Sequence, residues 1–315
     1  MKRKFLALLI IVALAITAAI FWTRSRHDSH LETLRVGYMV LSDCAPLFYT
    51  KIFENNGLKL ELKQAPGGAV ILNGVIGDSL DLGFSNLVSP ILARAQGIDV
   101  VAVAGSSFED DAHSRHALVV KKDSHIKGAQ DLKGKTVAVN TLRNIDHLML
   151  IRWLRLNGLS ADSIRLVEVP FPRMDTVLVQ GHVDAVAIVE PFLTKAKEAG
   201  HSSVGDYYVG SGGEKIEVTS YFAKRSWLAK NSFTAKRFQK ALAEAITQAN
   251  SDEKQFRELI RQVTGIDQEI SVKMGLPGFS SIPTKAGFEF LIKEAKQSHF
   301  IEADVKPEDI LWNQE

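Results

Sequence analysis

The sequence contains a single cysteine, Cys44, among its 315 residues. One cysteine excludes an internal disulfide framework and any metal or redox motif built on paired cysteines. A charge excess is also missing, because 38 Lys and Arg residues face 36 Asp and Glu residues and leave a formal net charge of +2. So small an excess predicts no nucleic-acid partner, which would require an extended basic surface.

One long apolar run is present, at the N-terminus. Phe5–Trp22, FLALLIIVALAITAAIFW, carries no charge and follows three basic residues. Such a segment is a secretory signal or a membrane anchor, and the basic residues should hold its start in the cytoplasm. No cysteine for lipid attachment follows the run, and the small-residue cleavage match at Ala13–Ala15 is poor. The sequence therefore favours an uncleaved inner-membrane anchor over a cleaved signal, with the globular part periplasmic in either case.

The rest of the chain contains an internal repeat. A β-branched, apolar run begins near Arg35 and again near Lys135. Each run is followed by a polar loop and then by a segment whose apolar residues have helical spacing. Both stretches end in Asn-Gly-Leu, at Asn56–Leu58 and Asn157–Leu159, and glycine there supplies the left-handed residue that commonly ends a helix. Each copy continues with a second strand, another helix and a third buried strand that ends in polar residues.

This alternation of strands and amphipathic helices indicates βαβ units with parallel strands. Two tandem copies predict two α/β lobes, although one long doubly wound sheet is the alternative. The strand-like segments Ala117–Lys122 and Ile216–Arg225 are candidates for crossovers between lobes. Apolar spacing of three to four residues after Trp227 predicts helices that return to pack on the first lobe. The predicted ranges are 1–30 for the anchor and linker, 31–116 and 225–315 for the first lobe, and 117–224 for the second.

Four segments carry a resemblance to a known family. GYMVLSDCAPLFYTK, APGGAVILNGVIGDSLDLGFSN, DLKGKTVAV and VDAVAIVEPF are similar to the substrate-binding proteins of ABC importers for nitrate, sulfonates, taurine and thiamine-pyrimidine precursors. The resemblance runs from about Arg35 to the C-terminus. It implies a type 2 periplasmic-binding fold, in which a hinged cleft between two lobes captures a small molecule for an ABC permease and its ATPase. It further implies no catalysis and no cofactor, and we expect a monomer.

In that family, loops after the first strands and polar residues at the third strands hold the ligand. Carried over by position, the candidate ligand contacts are Ser42, Asp43, Cys44, Gly67, Gly68, Ser85, Asn86, Thr141, Arg143, Asn144, Phe171, Arg173 and Glu190.

These candidates point to two kinds of ligand chemistry. Backbone N–H groups at Gly67–Gly68 would suit an anion, and Arg143 or Arg173 would clamp a sulfonate or carboxylate bidentately. Asp43 and Glu190 would instead suit an amine or a heterocyclic N–H. A zwitterion would use both sets, so the sequence does not name the ligand.

Several candidates also have purely structural interpretations. Ser85 or Asn86 could cap the next helix, and Glu190 could cap a helix or pair with a lysine. Cys44 could act as an activated nucleophile, but no histidine stands at a spacing that would suit a catalytic base, so a catalytic role is not expected. The segment that contains His113 and His116 is predicted to be a solvated loop between the lobes.

Two other functions compete with solute binding. A membrane-tethered sensor on the same fold would report ligand to a separate signalling partner. A pyrimidine-synthesis enzyme on this fold would carry a cysteine-rich motif, which this sequence lacks.

Overall fold

The computed structural model describes residues 31–208 and 215–312. The predicted anchor at 5–22 lies outside these residues. Within them, no helix combines the length and the apolar character needed to span a bilayer.

The strands and helices follow one another as the repeat predicts. The strands are β1 (Glu32–Tyr38), β2 (Leu58–Gln64), β3 (Leu82–Asn86), β4 (Val100–Gly105), β5 (Ser107–Glu109), β6 (His116–Val120), β7 (Thr136–Val139), β8 (Arg165–Glu168), β9 (Ala185–Val189), β10 (Ser202–Gly205), β11 (Ile216–Glu217), β12 (Thr219–Lys224) and β13 (Gly278–Phe279). The α-helices are α1 (Thr50–Asn55), α2 (Gly68–Ile76), α3 (Val88–Ala95), α4 (Ile145–Leu156), α5 (Phe171–Val179), α6 (Phe192–Glu198), α7 (Arg225–Ser251), α8 (Glu253–Thr264), α9 (Gln268–Lys273), α10 (Lys285–Gln297) and α11 (Pro307–Ile310). Short 3₁₀ helices cover Ser42–Phe48, Ala129–Leu132 and Ala161–Ser163.

Two five-stranded sheets form the two lobes, and they have the same topology. The first sheet has the order β2-β1-β3-β12-β4 and the second has the order β8-β7-β9-β6-β10. In each, the first strand of the repeat pairs in parallel with the second and third strands. A strand from outside the repeat then pairs antiparallel to the third strand. The predicted two-lobe α/β fold is confirmed.

A small third sheet, with the order β11-β5-β13, lies where the chain passes between the lobes. β5 leads out of the first lobe and β11 leads back, and the two pair antiparallel. β12 then joins the first sheet, although the sequence-based range placed Thr219–Lys224 in the second lobe. The apolar pattern of this strand shows that it is buried, but the pattern carries no information about which sheet it joins.

Each sheet is buried because helices cover it. The strands β3, β4, β6 and β9 are buried along their whole length, as the apolar runs of parallel α/β sheets usually are. On the first lobe, α7 places Phe238, Ala241 and Leu242 in one core cluster with β1 and β3. The helix α10 belongs to the first-lobe part of the chain but also packs on the second lobe, because its Phe288 and Leu291 share a core cluster with helix α4.

Candidate functional site

A cavity of about 330 Å³ lies between the lobes and is lined by both. The first lobe contributes the loop after β1, helix α2, the end of β3 and helix α3. The second lobe contributes the start of β6, the loop after β7 and the start of α4. Because parallel strands present their carboxyl ends at one edge of a sheet, two such edges face each other here. We call this space the inner cavity.

A second cavity of about 390 Å³ adjoins the inner one and shares with it six lining residues, among them Thr141 and Phe171. Its remaining walls are mostly apolar and are made by Val40, Gln64, Ala65, Pro66, Gly67, Val70, Pro170, Pro172 and Phe192. The rings of Phe171 and Phe192 stack with their centroids 6.2 Å apart. We call this space the outer cavity, and it suits an apolar part of a ligand.

Two asparagines at the inner cavity cap the helices that begin there. The side-chain oxygen of Asn86 accepts hydrogen bonds from the backbone N–H groups of Val88 (3.1 Å) and Ser89 (3.2 Å) at the start of α3. The side-chain oxygen of Asn144 accepts from the N–H of His147 at 3.0 Å, at the start of α4. These contacts satisfy N–H groups that would otherwise be open to a ligand anion.

The helix α2 begins without a side-chain cap. Gly68 is its first residue, and a Cβ atom at this position would overlap the hydroxyl of Ser85. Glycine is therefore required here by close packing, and not by a left-handed backbone.

A buried ionic cluster forms the floor of the inner cavity; it consists of Asp43, Glu109, Arg115, His116 and Asp146. The Arg115 side chain is fully buried and donates to both carboxylate oxygens of Asp43, at 2.9 and 3.1 Å. Its Nη2 lies 3.4 Å from Glu109. His116 Nδ1 pairs with the same glutamate, while its Nε2 lies 3.4 Å from Asp146. Asp43, His116 and Asp146 line the cavity.

Burial and pairing act in opposite directions on the pKa values of this cluster. Burial raises the pKa of Asp43, but the Arg115 guanidinium outweighs it, and the pKa lies below its ordinary value. Burial lowers the pKa of His116, but Glu109 reverses this and leaves the pKa raised. At Asp146 burial prevails over the neighbouring His116, so its pKa is raised.

The Asp146 carboxylate is held by aromatic hydroxyls. Tyr207 and Tyr208 each donate to its Oδ1 at 3.1 Å, and the Asn144 amide donates to its Oδ2 at 3.2 Å. The His116 ring stacks on Tyr208 with the centroids 4.0 Å apart. This part of the cavity therefore combines a carboxylate, an imidazole and a phenol within a rigid arrangement.

Most of the predicted ligand contacts lie on this cleft. The inner cavity is lined by Asp43, Gly68, Asn86, Thr141, Arg143, Asn144 and Phe171, and Gly67 lines the outer cavity.

The remaining predicted contacts line neither cavity. Cys44 is fully buried in the core of the first lobe, where burial raises the pKa of its thiol well above the ordinary value. Ser42 is buried beside Asp43, and Ser85 is buried beneath Gly68. Arg173 is exposed on helix α5.

Glu190 also points away from both cavities. Its carboxylate accepts from the N–H of Thr194 at 3.0 Å and from its hydroxyl at 2.8 Å, at the start of α6. It further accepts from the N–H of Gly275, which belongs to the first-lobe part of the chain, at 3.2 Å. The structure thus gives Glu190 the capping role, and adds a tie between the lobes that the sequence did not predict.

Arg143 reaches the inner cavity, but its guanidinium is engaged elsewhere. The group donates to the carbonyl oxygen of Phe300 and lies over the Phe300 ring, 5.2 Å from its centroid. The predicted bidentate clamp on a ligand anion is therefore not preformed.

Sequence reasoning missed Arg115, His116, Asp146 and Tyr208. The segment around His116 was predicted to be a solvated loop, but both Arg115 and His116 are buried. A signal was present, since His116 directly precedes the apolar run ALVV and is the first residue of β6, where a polar residue lies at the edge of a sheet.

Comparison with known proteins agrees with this geometry. The family model "NMT1/THI5 like" matches residues 51–255. The "Putative aliphatic sulfonates-binding protein" of Escherichia coli is 28% identical over 246 residues, which cover 76% of this chain and 74% of that protein. The "Putative thiamine biosynthesis protein" of Haemophilus influenzae is 31% identical over 134 residues, 42% of this chain and 41% of that protein.

Among solved structures, the alkanesulfonate-binding protein of Xanthomonas axonopodis pv. citri bound to MOPS superimposes with a TM-score of 0.78. It is 20% identical and the match covers 89% of this chain and 98% of that one. The fold is therefore that of two-lobe periplasmic binding proteins, and the family match shows that this chain belongs to the NMT1/THI5-like family.

Proposed function

We propose that the protein is an extracytoplasmic solute-binding protein, which captures one small polar organic molecule between its lobes and delivers it to an ABC permease. The observation that carries this proposal is the inner cavity, whose walls come from the equivalent strand ends of two similar lobes. A ligand that contacts both walls stabilises the closed arrangement by what it gains there over the open one.

The relatives suggest the ligand class at a coarse level. Aliphatic sulfonates are named for one relative and thiamine biosynthesis for another, so sulfonates, taurine-like or nitrate-like compounds and thiamine-pyrimidine precursors are the first candidates. We propose that the protein performs no chemistry on its ligand, since its cysteine is sealed in the core. We further propose that it acts as a monomer. Its first lobe comprises residues 31–116 and 225–315 together with β12, which pairs in the first sheet. Residues 5–22 would hold it at the inner membrane.

A thermal-shift screen on the full chain in mild detergent tests the proposal. The panel contains alkanesulfonates, nitrate, carboxylates and pyrimidines. A true ligand at 100 times its Kd should stabilise the protein by about 2.7 kcal/mol and bind once per chain. Conversion of the bound compound by the pure protein, or the lack of any stabilising compound, would count against it.

A further inference from the structure

The charge at the floor of the inner cavity is negative. The buried ionic cluster sets three carboxylates against one guanidinium and one imidazole, so with its carboxylates ionised it is negative whichever charge His116 carries. Arg115 is matched bidentately to Asp43, and His116 is matched to Glu109. Asp146 lines the cavity and shares the His116 imidazole with Glu109, since His116 Nε2 lies 3.4 Å from the Oδ1 of Asp146.

Asp146 also has room for a further donor. A carboxylate offers about four acceptor positions. Two hydroxyls fill Oδ1, from Tyr207 and Tyr208, while Oδ2 accepts only the Asn144 amide at 3.2 Å among the hydrogen bonds of the described residues. Burial raises the pKa of this carboxyl against the opposing effect of His116, the two tyrosines and Asn144. The Oδ2 oxygen is therefore the atom of this carboxylate that can accept a further hydrogen bond from the cavity side.

Two of the three helix N-termini at the inner cavity are already used, and the third, that of α2, has no side-chain cap. The N-termini of α3 and α4 are capped by Asn86 and Asn144. Among the described residues that line the inner cavity, Arg143 is the only arginine or lysine, and its guanidinium is bound to Phe300. A sulfonate placed against Asp146 would lose its hydration beside a carboxylate, whereas the uncapped N-terminus of α2 is the part of the cavity wall that could hold an anion.

We propose that the deepest part of the ligand is a compact cation or N–H donor bound against Asp146, followed by an apolar body that fills the outer cavity. This inference rests on the proposed solute-binding function. The ligand class is then a protonated amine or an N–H heterocycle, with any acidic group turned toward the cleft mouth.

A matched pair of probes tests this on the full chain in detergent. Benzylammonium chloride and sodium phenylmethanesulfonate share one body and differ in the charge of the head, and sodium chloride at the same ionic strength is the reference. At about ten times its Kd, benzylammonium should raise Tm by about 2–4 °C above the reference, whereas phenylmethanesulfonate should not. A stronger effect of phenylmethanesulfonate, or no effect of either probe, would overturn the proposal.

Variants assign the effect to Asp146. Asp146→Asn should weaken benzylammonium binding at least 10-fold, because a charge-assisted contact is lost. Asp304→Asn removes a carboxylate that is 78% exposed on the surface and should leave the binding unchanged. Equal affinity in Asp146→Asn and wild type would contradict the proposal.

A further variant covers the case in which Asp146→Asn fails to fold. Tyr208→Phe keeps the ring and removes one donor from Asp146 Oδ1, which leaves more of the carboxylate charge for a ligand cation. Benzylammonium should then bind more tightly than to wild type, and an equal or weaker affinity would contradict the proposal. Phenylmethanesulfonate binding would leave solute capture intact while overturning this inference. Failure of both probes and of the whole ligand panel would overturn both.

Discussion

The third strands of the two lobes occupy the same position in the same topology, yet their ends have different roles. β3 ends at Asn86, which caps α3 and lines the inner cavity. Glu190 follows β9 and caps α6, but it lies off the cavity and binds the N–H of Gly275 in the other lobe. The repeated topology therefore determines the position of a polar residue at the strand end, whereas its contacts depend on how the other lobe packs against it.

The loops after the first strands show the opposite assignment. In the first lobe, the carboxylate of Asp43 is committed to Arg115, which directly precedes β6 where the chain enters the second lobe. In the second lobe, Thr141, Asn144 and Asp146 face the inner cavity. Each lobe thus has one strand end whose polar residue lines the inner cavity and one whose carboxylate is held by a distant part of the chain.

The largest expected effect comes from breaking the tie at Asp43. Arg115→Met keeps most of the side-chain volume but leaves buried carboxylates without their cation, which should cost about 3–5 kcal/mol in the free energy of unfolding. Chemical denaturation of the ligand-free protein measures this. Lys51→Met is the control, because Lys51 is 87% exposed beside Glu54, and it should leave the midpoint unchanged. Equal midpoints for both variants would mean that the tie does not hold the lobes.

Glu190→Gln tests the tie at the second lobe and has a smaller expected effect. The variant keeps the shape but removes the charge and one acceptor from a group that receives three hydrogen bonds. We expect a loss of about 2 kcal/mol in the ligand-free protein. The affinity for the tightest compound of the panel should stay within about two-fold. An unchanged melting temperature together with a 10-fold loss of affinity would instead make Glu190 a ligand contact.

Asn86→Ala is the matching change in the first lobe and should have the smallest effect on stability. Loss of the cap should cost about 1 kcal/mol, and loss of the amide from the inner cavity should weaken binding about 2- to 10-fold. Asn86→Ser separates these roles, because serine caps a helix about as well but removes the amide. We expect Asn86→Ser to restore the melting temperature of the ligand-free protein but not the affinity for the ligand. Restoration of both would show that Asn86 acts on the ligand only through α3.

The sequence predicts the lobes well because their signals are local. Asn-Gly-Leu ends, apolar strands and helix periodicity all arise within about twenty residues, and the repeat doubles each signal. Asn86 was predicted from a signal of this kind, since a polar residue at a strand end lies at the cleft edge, whereas Asn144 was carried over by position from the family resemblance.

The missed residues depend on contacts between distant parts of the chain. Arg115 is 72 positions from Asp43, and Glu190 is 85 positions from Gly275. A buried arginine and an exposed one look alike in a sequence, because only the partner carboxylate makes burial tolerable. His116 was misjudged on the same ground.

The crossing strands β5 and β11 have a mechanical consequence. Glu109 is the last residue of β5, and Arg115 directly precedes β6, so the buried ionic cluster lies close to the pivot of the two lobes. In a rotation about a pivot, displacement grows with distance from the axis. If the lobes rotate about these strands, atoms of the cluster at the cavity floor move less than atoms that lie further from the strands. Under the proposed function, the floor would then present nearly the same groups to the ligand in the open and the closed arrangement. Most of the change in shape that marks a bound ligand would occur at the outer walls.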